Sequence, residues 1–318
     1  MYLLEELTCS LIFRSSEELP EPAISLNIDK KGKQWISMLL TRGCPLHCQF
    51  CSNFLTQGRL FRPTPLEKLQ SQLETLEINL TKPVHINLED DNLLVRKSYF
   101  KEVLTLLKKK IPHSTFSIDN GLDYTNMTDE FINYLIETGF TSFTLSLGSS
   151  DLETLKKEKR PGNLKRFEEV LVYLTTRKIS VSTFLICGLP EDSRESILAS
   201  LTYLHQLPTE INFYPIPGLP RFEDTDLFLT KSPHLCCGSS AYPWGKSLTT
   251  AEMVTVFRLA RLSNLIKKEH KTSDEIQFIN KILETKRLRS FIGKKKEIIS
   301  VSSMDEFLVE GFLEKTSP

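Results

Sequence analysis

The sequence has no excess of positive or of negative charge. It also has no apolar run long enough to cross a membrane. Its 318 residues include 40 Lys and Arg against 40 Asp and Glu, so charge gives no pull toward nucleic acid or a membrane surface. A signal peptide is not expected either, because Glu5 and Glu6 stand where such a peptide needs positive charge. We therefore expect a cytoplasmic protein with no membrane partner, and nucleic acid is not indicated.

The cysteines do not form the pattern of a secreted disulfide protein. There are seven, an odd number, and three lie within eight residues at Cys44, Cys48 and Cys51, in TRGCPLHCQFCSN. Three close thiols are too many for one disulfide and too few for an ordinary four-ligand zinc site. Cys-x3-Cys-x2-Cys can hold three irons of a cubane and leave the fourth iron open. A zinc knuckle with a distant fourth ligand is the alternative.

Strand patterns alternate with amphipathic helical patterns through the middle of the chain. The expected strands are Trp35–Leu40, Val84–Leu88, Thr115–Asp119, Ser142–Leu147, Ile179–Gly188 and Ile211–Ile216. Such alternation predicts right-handed crossovers and a parallel sheet. We expect an α/β fold, a partial (βα)6 TIM-like barrel with a C-terminal helical appendage. Its active site is expected at the carboxyl ends of the strands.

Composition and helix-start patterns suggest three regions. Thr64 with Glu67, and Asp192 with Glu195, each fit a capping box at the start of a helix. Further helix starts are expected at Thr249, Thr272 and Ser303. The expected division is an N-terminal segment at 1–34, a core at 35–217, and a loop and helical C-terminal extension at 218–318.

The cysteine loop, placed directly after the first expected strand, resembles that of the radical SAM enzymes, and weaker matches continue to about residue 218. The resemblance implies one [4Fe-4S] cluster on Cys44, Cys48 and Cys51, with S-adenosylmethionine (SAM) bound at the open iron. It further implies reductive cleavage of SAM to a 5'-deoxyadenosyl radical, and an electron donor such as flavodoxin or ferredoxin. The protein itself must hold these cofactors and exclude water.

Two further segments resemble SAM-binding parts of this family. Phe50 stands where the family has an aromatic residue near the adenine, although it could simply shield the cluster. The sequence LEDDN at 88–92 is similar to the acidic motif of the methylthiotransferase and B12-associated branch. Glu89, Asp90 and Asp91 are thus candidates for the SAM ammonium group, with a solvated acidic turn as the alternative. Side chains alternate along an extended chain, so the three cannot all point inward.

The later strands carry weaker matches. Ser146 and Arg160 occupy the places at which the same branch meets the ribose and the carboxylate of SAM, although Arg160 could instead close a helix. In FLICGLPEDSRE, the residues Ile186, Gly188 and Glu191 match a Gly-x-Ile-x-Gly-x-x-Glu motif whose first glycine is absent here. The resemblance implies backbone contact with the adenine, where Gly188 permits a close approach.

The loop SPHLCCGSSAYPWGK, from Ser232 to Lys246, is the most distinctive sequence outside these motifs. Its Cys236 and Cys237 are candidate catalytic residues that could donate a hydrogen atom to a substrate radical. Adjacent cysteines point in different directions and do not comfortably ligate one iron, so we do not expect a second cluster. A structural or substrate-gating loop is the favoured interpretation.

The motifs define the cofactor chemistry better than the substrate. We expect an enzyme that cleaves SAM to modify an unidentified substrate. One alternative is a non-catalytic protein that carries a cluster or zinc for assembly with a partner. A second is a methyl- or methylthiotransferase. Two observations count against a transferase. Only about forty residues precede the cysteine loop, where a B12 domain is expected, and the other cysteines lack the spacing of the second three-cysteine set that a methylthiotransferase needs.

Overall fold

The structure is a computed structural model that describes residues 23–51, 53–189, 192–215, 250–268 and 272–273. The predictions for Glu191, Cys236 and Cys237, and the helix starts at Thr249 and Ser303, lie outside these residues. Helices in the described part are all too short or too polar to span a bilayer.

The described residues form nine strands and eight α-helices. The strands are β1 Ala23–Ile28, β2 Gln34–Leu39, β3 Thr41–Arg42, β4 Arg62–Pro63, β5 Val84–Leu88, β6 Ser114–Ser117, β7 Ser142–Gly148, β8 Ser180–Cys187 and β9 Glu210–Pro215. The helices are α1 Asn53–Gln57, α2 Leu66–Thr75, α3 Lys97–Lys110, α4 Asp129–Thr138, α5 Leu152–Lys157, α6 Leu164–Thr175, α7 Arg194–Gln206 and α8 Thr250–Lys267. The chain divides into two compact units.

The first unit contains the described residues up to Ser146 together with Lys159–Ser182. Its main sheet has the order β1-β2-β5-β6, in which β1 is antiparallel to β2 and the other neighbours are parallel. One face of this sheet is apolar, and Ile36, Ile86 and Phe116 lie side by side there with no exposed surface. The opposite face of β5 and β6 is polar, because side chains alternate along a strand.

The six expected strands are all present, as β2 and β5 to β9, and the expected parallel pairing is confirmed for β2, β5 and β6. Isolated parallel bridges join Phe116 in β6 to Phe140, just before β7, and Leu122, in the loop after β6, to Leu145 in β7. The strands β7, β8 and β9 form a further sheet in that order. The described strands do not close into one barrel, so the structure shows a mixed α/β fold.

Strand β1 was missed by the sequence analysis. It lies in the segment expected to precede the core, yet it pairs with β2 along its whole length, from Ala23 opposite Leu39 to Ile28 opposite Gln34. The turn between the two strands is closed by Asp29, whose carboxylate accepts hydrogen bonds from the backbone N–H groups of residues 31 and 33. Strand β1 is therefore part of the same sheet as β2.

Two expected capping boxes are wrong. Helix α2 begins after Pro65 without a side-chain cap, and the carbonyl of Thr64 instead accepts a hydrogen bond from the Tyr99 hydroxyl at 2.8 Å. Helix α7 is capped one residue later than expected, by Ser193 with Ser196. The expected N-cap was one residue too early because the Asp192 side chain has a different role, described below.

The second unit contains Leu147–Glu158 and the described residues from Thr183 onward. Helix α8, the described start of the expected extension, is joined to α7 by a 2.7 Å hydrogen bond between His205 Nδ1 and Ser263 Oγ. Asn264 also pairs with both backbone groups of Ile211 in β9. The helix is therefore fixed within its unit.

Candidate functional site

The cysteine loop begins where β2 ends. Strand β3 pairs with β4, and Gly43 then turns the chain with a φ of +83°. A Cβ atom at this position would overlap the carbonyl oxygen of Leu60, and L-amino acids rarely adopt such a φ. Only glycine fits here, so the direction in which the chain enters Cys44 is fixed by the fold.

The three cysteines of the loop are not joined in disulfides, and they lie close enough to influence one another. Cys48 is buried, with 4% exposed surface, while Cys44 and Cys51 are half-buried. Burial raises the pKa of Cys44, the Leu46 backbone lowers it, and the charges of Cys51, Asp91 and Cys48 raise it further. A metal that takes these groups as thiolates must therefore displace protons on binding.

The donor set fits an iron-sulfur cluster. Three thiolates from one loop are the soft ligands that such clusters use. Within the described part of the chain, no three His, Cys, Asp or Glu side chains converge on a single metal position. A cubane does not require that convergence, because each iron takes its own thiolate.

An arginine outside the loop braces its backbone. The Nη1 atom of Arg59 donates to the carbonyl oxygen of Leu46 at 2.6 Å, and its guanidinium lies 4.4 Å from the centre of the Phe54 ring. The loop is also closed by backbone hydrogen bonds from Cys44 to Gly58 and from Cys51 to Cys48. Arg59 was not among the expected site residues, because nothing in the local sequence distinguishes it from a surface arginine.

Asp90 anchors the start of the cysteine loop. Its carboxylate accepts hydrogen bonds from the backbone N–H groups of Leu40 and Thr41 and from the Thr41 hydroxyl, at 2.6 to 3.1 Å. The side chain is 1% exposed, and this burial raises its pKa to about 7 against the opposing effect of the three donors. The structure thus gives Asp90 a backbone-holding role that the sequence did not indicate.

Glu89 lies on the other side of the extended segment and is held by a chain of polar contacts. Asn87 Nδ2 donates to Glu89 Oε1 at 2.8 Å, and Asn87 Oδ1 accepts from Ser117 Oγ at 3.0 Å. Ser117 Oγ is also 2.9 Å from Nε2 of His85, whose Nδ1 lies 2.8 Å from Thr115 Oγ1. The carboxylate of Glu89 is therefore positioned by the polar face of β5 and β6. The alternation rule could have identified Asn87, two residues before Glu89.

Asp91 is half-buried and belongs to the surroundings of the cysteines. Burial raises its pKa, while a hydrogen bond from Asn53 and the positive charge of Arg42 lower it. Its own charge raises the pKa of Cys44. Of the three expected acidic residues, Asp91 is the one whose charge acts on a thiol.

Ser146 and Arg160 are brought together, with the second cysteine beside them. Arg160 Nη2 donates to the backbone oxygen of Ser146 at 2.8 Å, and Nη1 lies 3.9 Å from the sulfur of Cys48. Arg160 lies two residues beyond Glu158, the C-cap of α5, in the segment between α5 and α6. Phe50 is half-buried in the turn between Cys48 and Cys51.

The fifth-strand motif lies in the second unit. Ile186 is half-exposed on β8, and the backbone N–H groups of Gly188 and Leu189 both donate to the carboxylate of Asp192 at 2.9 Å. Asp192 therefore holds the turn that follows the strand. Burial raises its pKa to about 7, and the charges of Glu158 and Asp151 add to that effect.

This raised pKa predicts a pH dependence of stability. The folded chain holds the Asp192 proton more tightly than the unfolded chain, so this stabilisation is present at low pH and is lost as pH rises through about 7. Asp192→Asn keeps an acceptor oxygen but cannot ionise. The free energy of unfolding of wild type relative to Asp192→Asn should fall from about pH 5 to about pH 8 in urea titrations of the apo chain. If the free energies of unfolding of wild type and Asp192→Asn changed in parallel with pH, the raised pKa of Asp192 would be contradicted.

Fold and site together define an α/β protein with a loop of three cysteines at the carboxyl end of a central strand. The profile of the Radical SAM superfamily matches residues 38–204, more than half of the chain. The chain belongs to this superfamily and is a radical SAM enzyme. No helix, loop or side chain described above specifies the reaction.

Curated relatives share part of this chain. Bacteriochlorophyllide d C-12(1)-methyltransferase of Chlorobaculum tepidum is 27% identical over 213 residues, which is 64% of this chain and 46% of the relative. Cytidylyl-2-hydroxyethylphosphonate methyltransferase of Streptomyces wedmorensis is 24% identical over 176 residues, 52% of this chain and 32% of the relative. The chain thus spans less than half the length of either relative.

A solved structure confirms the fold. The radical S-adenosylmethionine methyltransferase TsrM from Kitasatospora setae, determined with cobalamin and a [4Fe-4S] cluster bound, aligns with a TM-score of 0.53. The alignment covers 78% of this chain and 60% of TsrM at 13% sequence identity. At 13% sequence identity, this similarity supports the fold alone.

Proposed function

We propose that the chain binds one [4Fe-4S] cluster through Cys44, Cys48 and Cys51, and binds SAM at the iron that no cysteine holds. The observation that carries this proposal is the set of three cysteines outside disulfides in one loop held by Arg59, with Arg160 beside Cys48. Reductive cleavage of SAM to a 5'-deoxyadenosyl radical is the chemistry that the two cofactors supply when bound. The substrate is unidentified, and the electron would come from a donor such as flavodoxin or ferredoxin.

The acidic motif divides into two roles. Asp90 already accepts hydrogen bonds from Leu40 and Thr41, so we assign it to holding the loop rather than SAM. Glu89 and Asp91 are the residues that we assign to the ammonium group, because the carboxylate of Asp90 is already engaged by the loop backbone. An ammonium group beside them would offset the repulsion between the carboxylates.

The remaining assignments follow the resemblance. Arg160 is proposed for the SAM carboxylate, Ser146 for the ribose, and Phe50, Ile186 and Gly188 for the adenine. Support for Arg160 comes from its planar guanidinium, which suits a carboxylate, and from its place beside Cys48. Cys236 and Cys237 remain candidates for the substrate step.

We further propose that β2 and β5 to β9 form a partial (βα)6 barrel. The parallel pairs of β2, β5 and β6 and the parallel bridges to β7 support this architecture. The proposed core spans residues 35–217, preceded by a segment at 1–34 and followed by a loop and helical extension at 218–318. The match to residues 38–204 agrees with the extent of that core.

Among reactions, we favour transfer of a methyl group from SAM. Both curated relatives reported above carry methyltransferase in their names. The short length of chain ahead of the cysteines does not decide against this reaction, because the chain spans less than half of each relative. A non-catalytic protein that carries a cluster or zinc remains the competing function.

Anaerobic reconstitution separates these functions. With a [4Fe-4S] cluster the chain should hold about four irons and, after reduction with dithionite, form 5'-deoxyadenosine from SAM. Bound zinc without 5'-deoxyadenosine would favour the non-catalytic alternative. SAM labelled in its methyl group, supplied with candidate acceptors and cobalamin, tests methyl transfer. Cleavage of SAM without movement of the label to any acceptor would count against a methyltransferase.

Asn87 offers a test of the assignment of Glu89. Asn87→Leu keeps a similar volume but removes the N–H that holds Glu89 Oε1. Because a hydrogen bond to a charged group contributes about 1.5–3 kcal/mol, SAM affinity should fall roughly tenfold or more. The dissociation constant is measured anaerobically on the reconstituted protein. Asn27→Leu on exposed β1 is the matched control. Equal affinity in the two variants would show that Asn87 does not position a SAM-binding group.

A further inference from the structure

Arg160 makes a contact that the assignment to the SAM carboxylate does not require. Its Nη1 atom points an N–H at the sulfur of Cys48, 3.9 Å away, while Nη2 donates to the backbone oxygen of Ser146 at 2.8 Å. Hydrogen bonds to sulfur are longer than those to oxygen, and Cys48 is buried, with 4% exposed surface. A fixed positive charge therefore lies against a buried cluster ligand before any SAM is bound.

The fold holds this arginine in place from both sides. Lys159, immediately before it, has a φ of +52°, an uncommon conformation for a residue other than glycine. Three residues after it, the backbone N–H of Asn163 donates to the Tyr124 hydroxyl at 3.1 Å. The charge of Arg160 also lowers the pKa of Tyr124, which burial raises. The guanidinium thus lies among fixed groups of β7 and its surroundings.

The three cysteines do not share the same electrostatic surroundings. Cys48 has the arginine beside it, whereas Cys44 feels the negative charge of Asp91, which in turn lies near Arg42. Charges in a buried site interact strongly because the local dielectric is low. The potential of an iron-sulfur cluster depends on its net charge, its solvent exposure and the hydrogen bonds to its sulfurs.

We propose that Arg160 raises the reduction potential of the cluster through its charge and its hydrogen bond to Cys48. The inference rests on the proposed function and deepens it. On reduction, one electron enters the cluster from an external one-electron donor, the net charge falls by one, and no proton is transferred. A neighbouring guanidinium stabilises the more negative reduced form more than the oxidised form, so it makes uptake of the electron easier.

This role is separable from binding of the SAM carboxylate. Carboxylate binding affects the protein only when SAM is present, whereas the effect on potential exists without it. The midpoint potential of the reconstituted cluster, measured in the absence of SAM by a redox titration followed by EPR, therefore isolates the proposed role. The SAM dissociation constant, measured separately, reports the other one.

The test compares Arg160→Gln with Arg160→Lys. In Arg160→Gln the midpoint potential should shift to a more negative value, because charge and guanidinium are both lost. Arg160→Lys should shift less, since an ammonium keeps the charge but cannot bond to Cys48 and Ser146 at once. Arg177→Gln, which removes an exposed arginine on another surface, should leave the potential unchanged.

The possible results distinguish failure of the inference about Arg160 from failure of the proposed function. If wild type assembles a cluster and Arg160→Gln has the same potential, the inference is overturned while the proposed function stands. If Arg160→Gln assembles no cluster, Arg160→Met, which also lacks the charge, carries the test, and a wild-type potential there overturns the inference. A wild-type chain that assembles no cluster contradicts the proposed function instead.

Discussion

Cys48→Ala should leave the chain folded but unable to assemble its cluster. Cys48 is the most buried thiol of the loop and has Arg160 beside it, so no water-exposed group can easily replace it as a ligand. Loss of a residue that merely supports a metal ligand costs about 10- to 100-fold, so loss of a ligand should cost more than about 100-fold in formation of 5'-deoxyadenosine. Iron content and visible absorbance after anaerobic reconstitution provide the direct measurement.

Cys187→Ala is the matched control. Cys187 is a buried thiol in β8, and burial raises its pKa, so it has the character of a small apolar residue. This variant should retain its iron. Far-UV circular dichroism of both variants checks that they remain folded. A Cys48→Ala protein with about four irons and unchanged formation of 5'-deoxyadenosine would remove the basis of the ligand assignment.

Asp90→Ala should be among the most destabilising single substitutions in the first unit. It leaves the backbone N–H groups of Leu40 and Thr41 and the Thr41 hydroxyl without their buried acceptor. Each unsatisfied buried group costs about 1–3 kcal/mol, so we expect a loss of about 3–5 kcal/mol in the free energy of unfolding, allowing for non-additivity. Urea titration of the apo chain measures it.

Two further variants sharpen that result. Asp90→Asn keeps one acceptor oxygen and should lose less stability than Asp90→Ala. Asp119→Ala removes an exposed carboxylate near the end of β6 and should change the free energy of unfolding by no more than about 0.5 kcal/mol. If Asp90→Ala lowered the free energy of unfolding no more than Asp119→Ala does, the Asp90 carboxylate would not be holding the loop.

The acidic motif shows which features of the site could be predicted from the sequence and which could not. Alternation along an extended chain correctly predicted that Glu89, Asp90 and Asp91 do not all point the same way. It could not tell which one turns toward Leu40 and Thr41, because that depends on how β2 and β5 are aligned. Those partners lie about fifty residues away in the chain, where only the folded structure brings them into contact.

The strands were easier to predict than their ends. Short buried strands such as β5, which lie between helical patterns in the sequence, were predicted to within about two residues of their observed ends. The cap of α7 was misplaced because Asp192 and Ser193 are both good capping residues, and local spacing cannot show that Asp192 is engaged by Gly188 and Leu189.

The central claim is that one iron of a cluster on Cys44, Cys48 and Cys51 is open to SAM. It is tested most directly by EPR and ENDOR spectroscopy of the reduced, reconstituted protein with SAM carrying a 15N amino group and a 17O carboxylate. We expect about four irons per chain, a change in the EPR signal when SAM is added, and hyperfine coupling from both labels. A complete cluster whose spectrum is the same with and without SAM, and which shows no coupling, would contradict it.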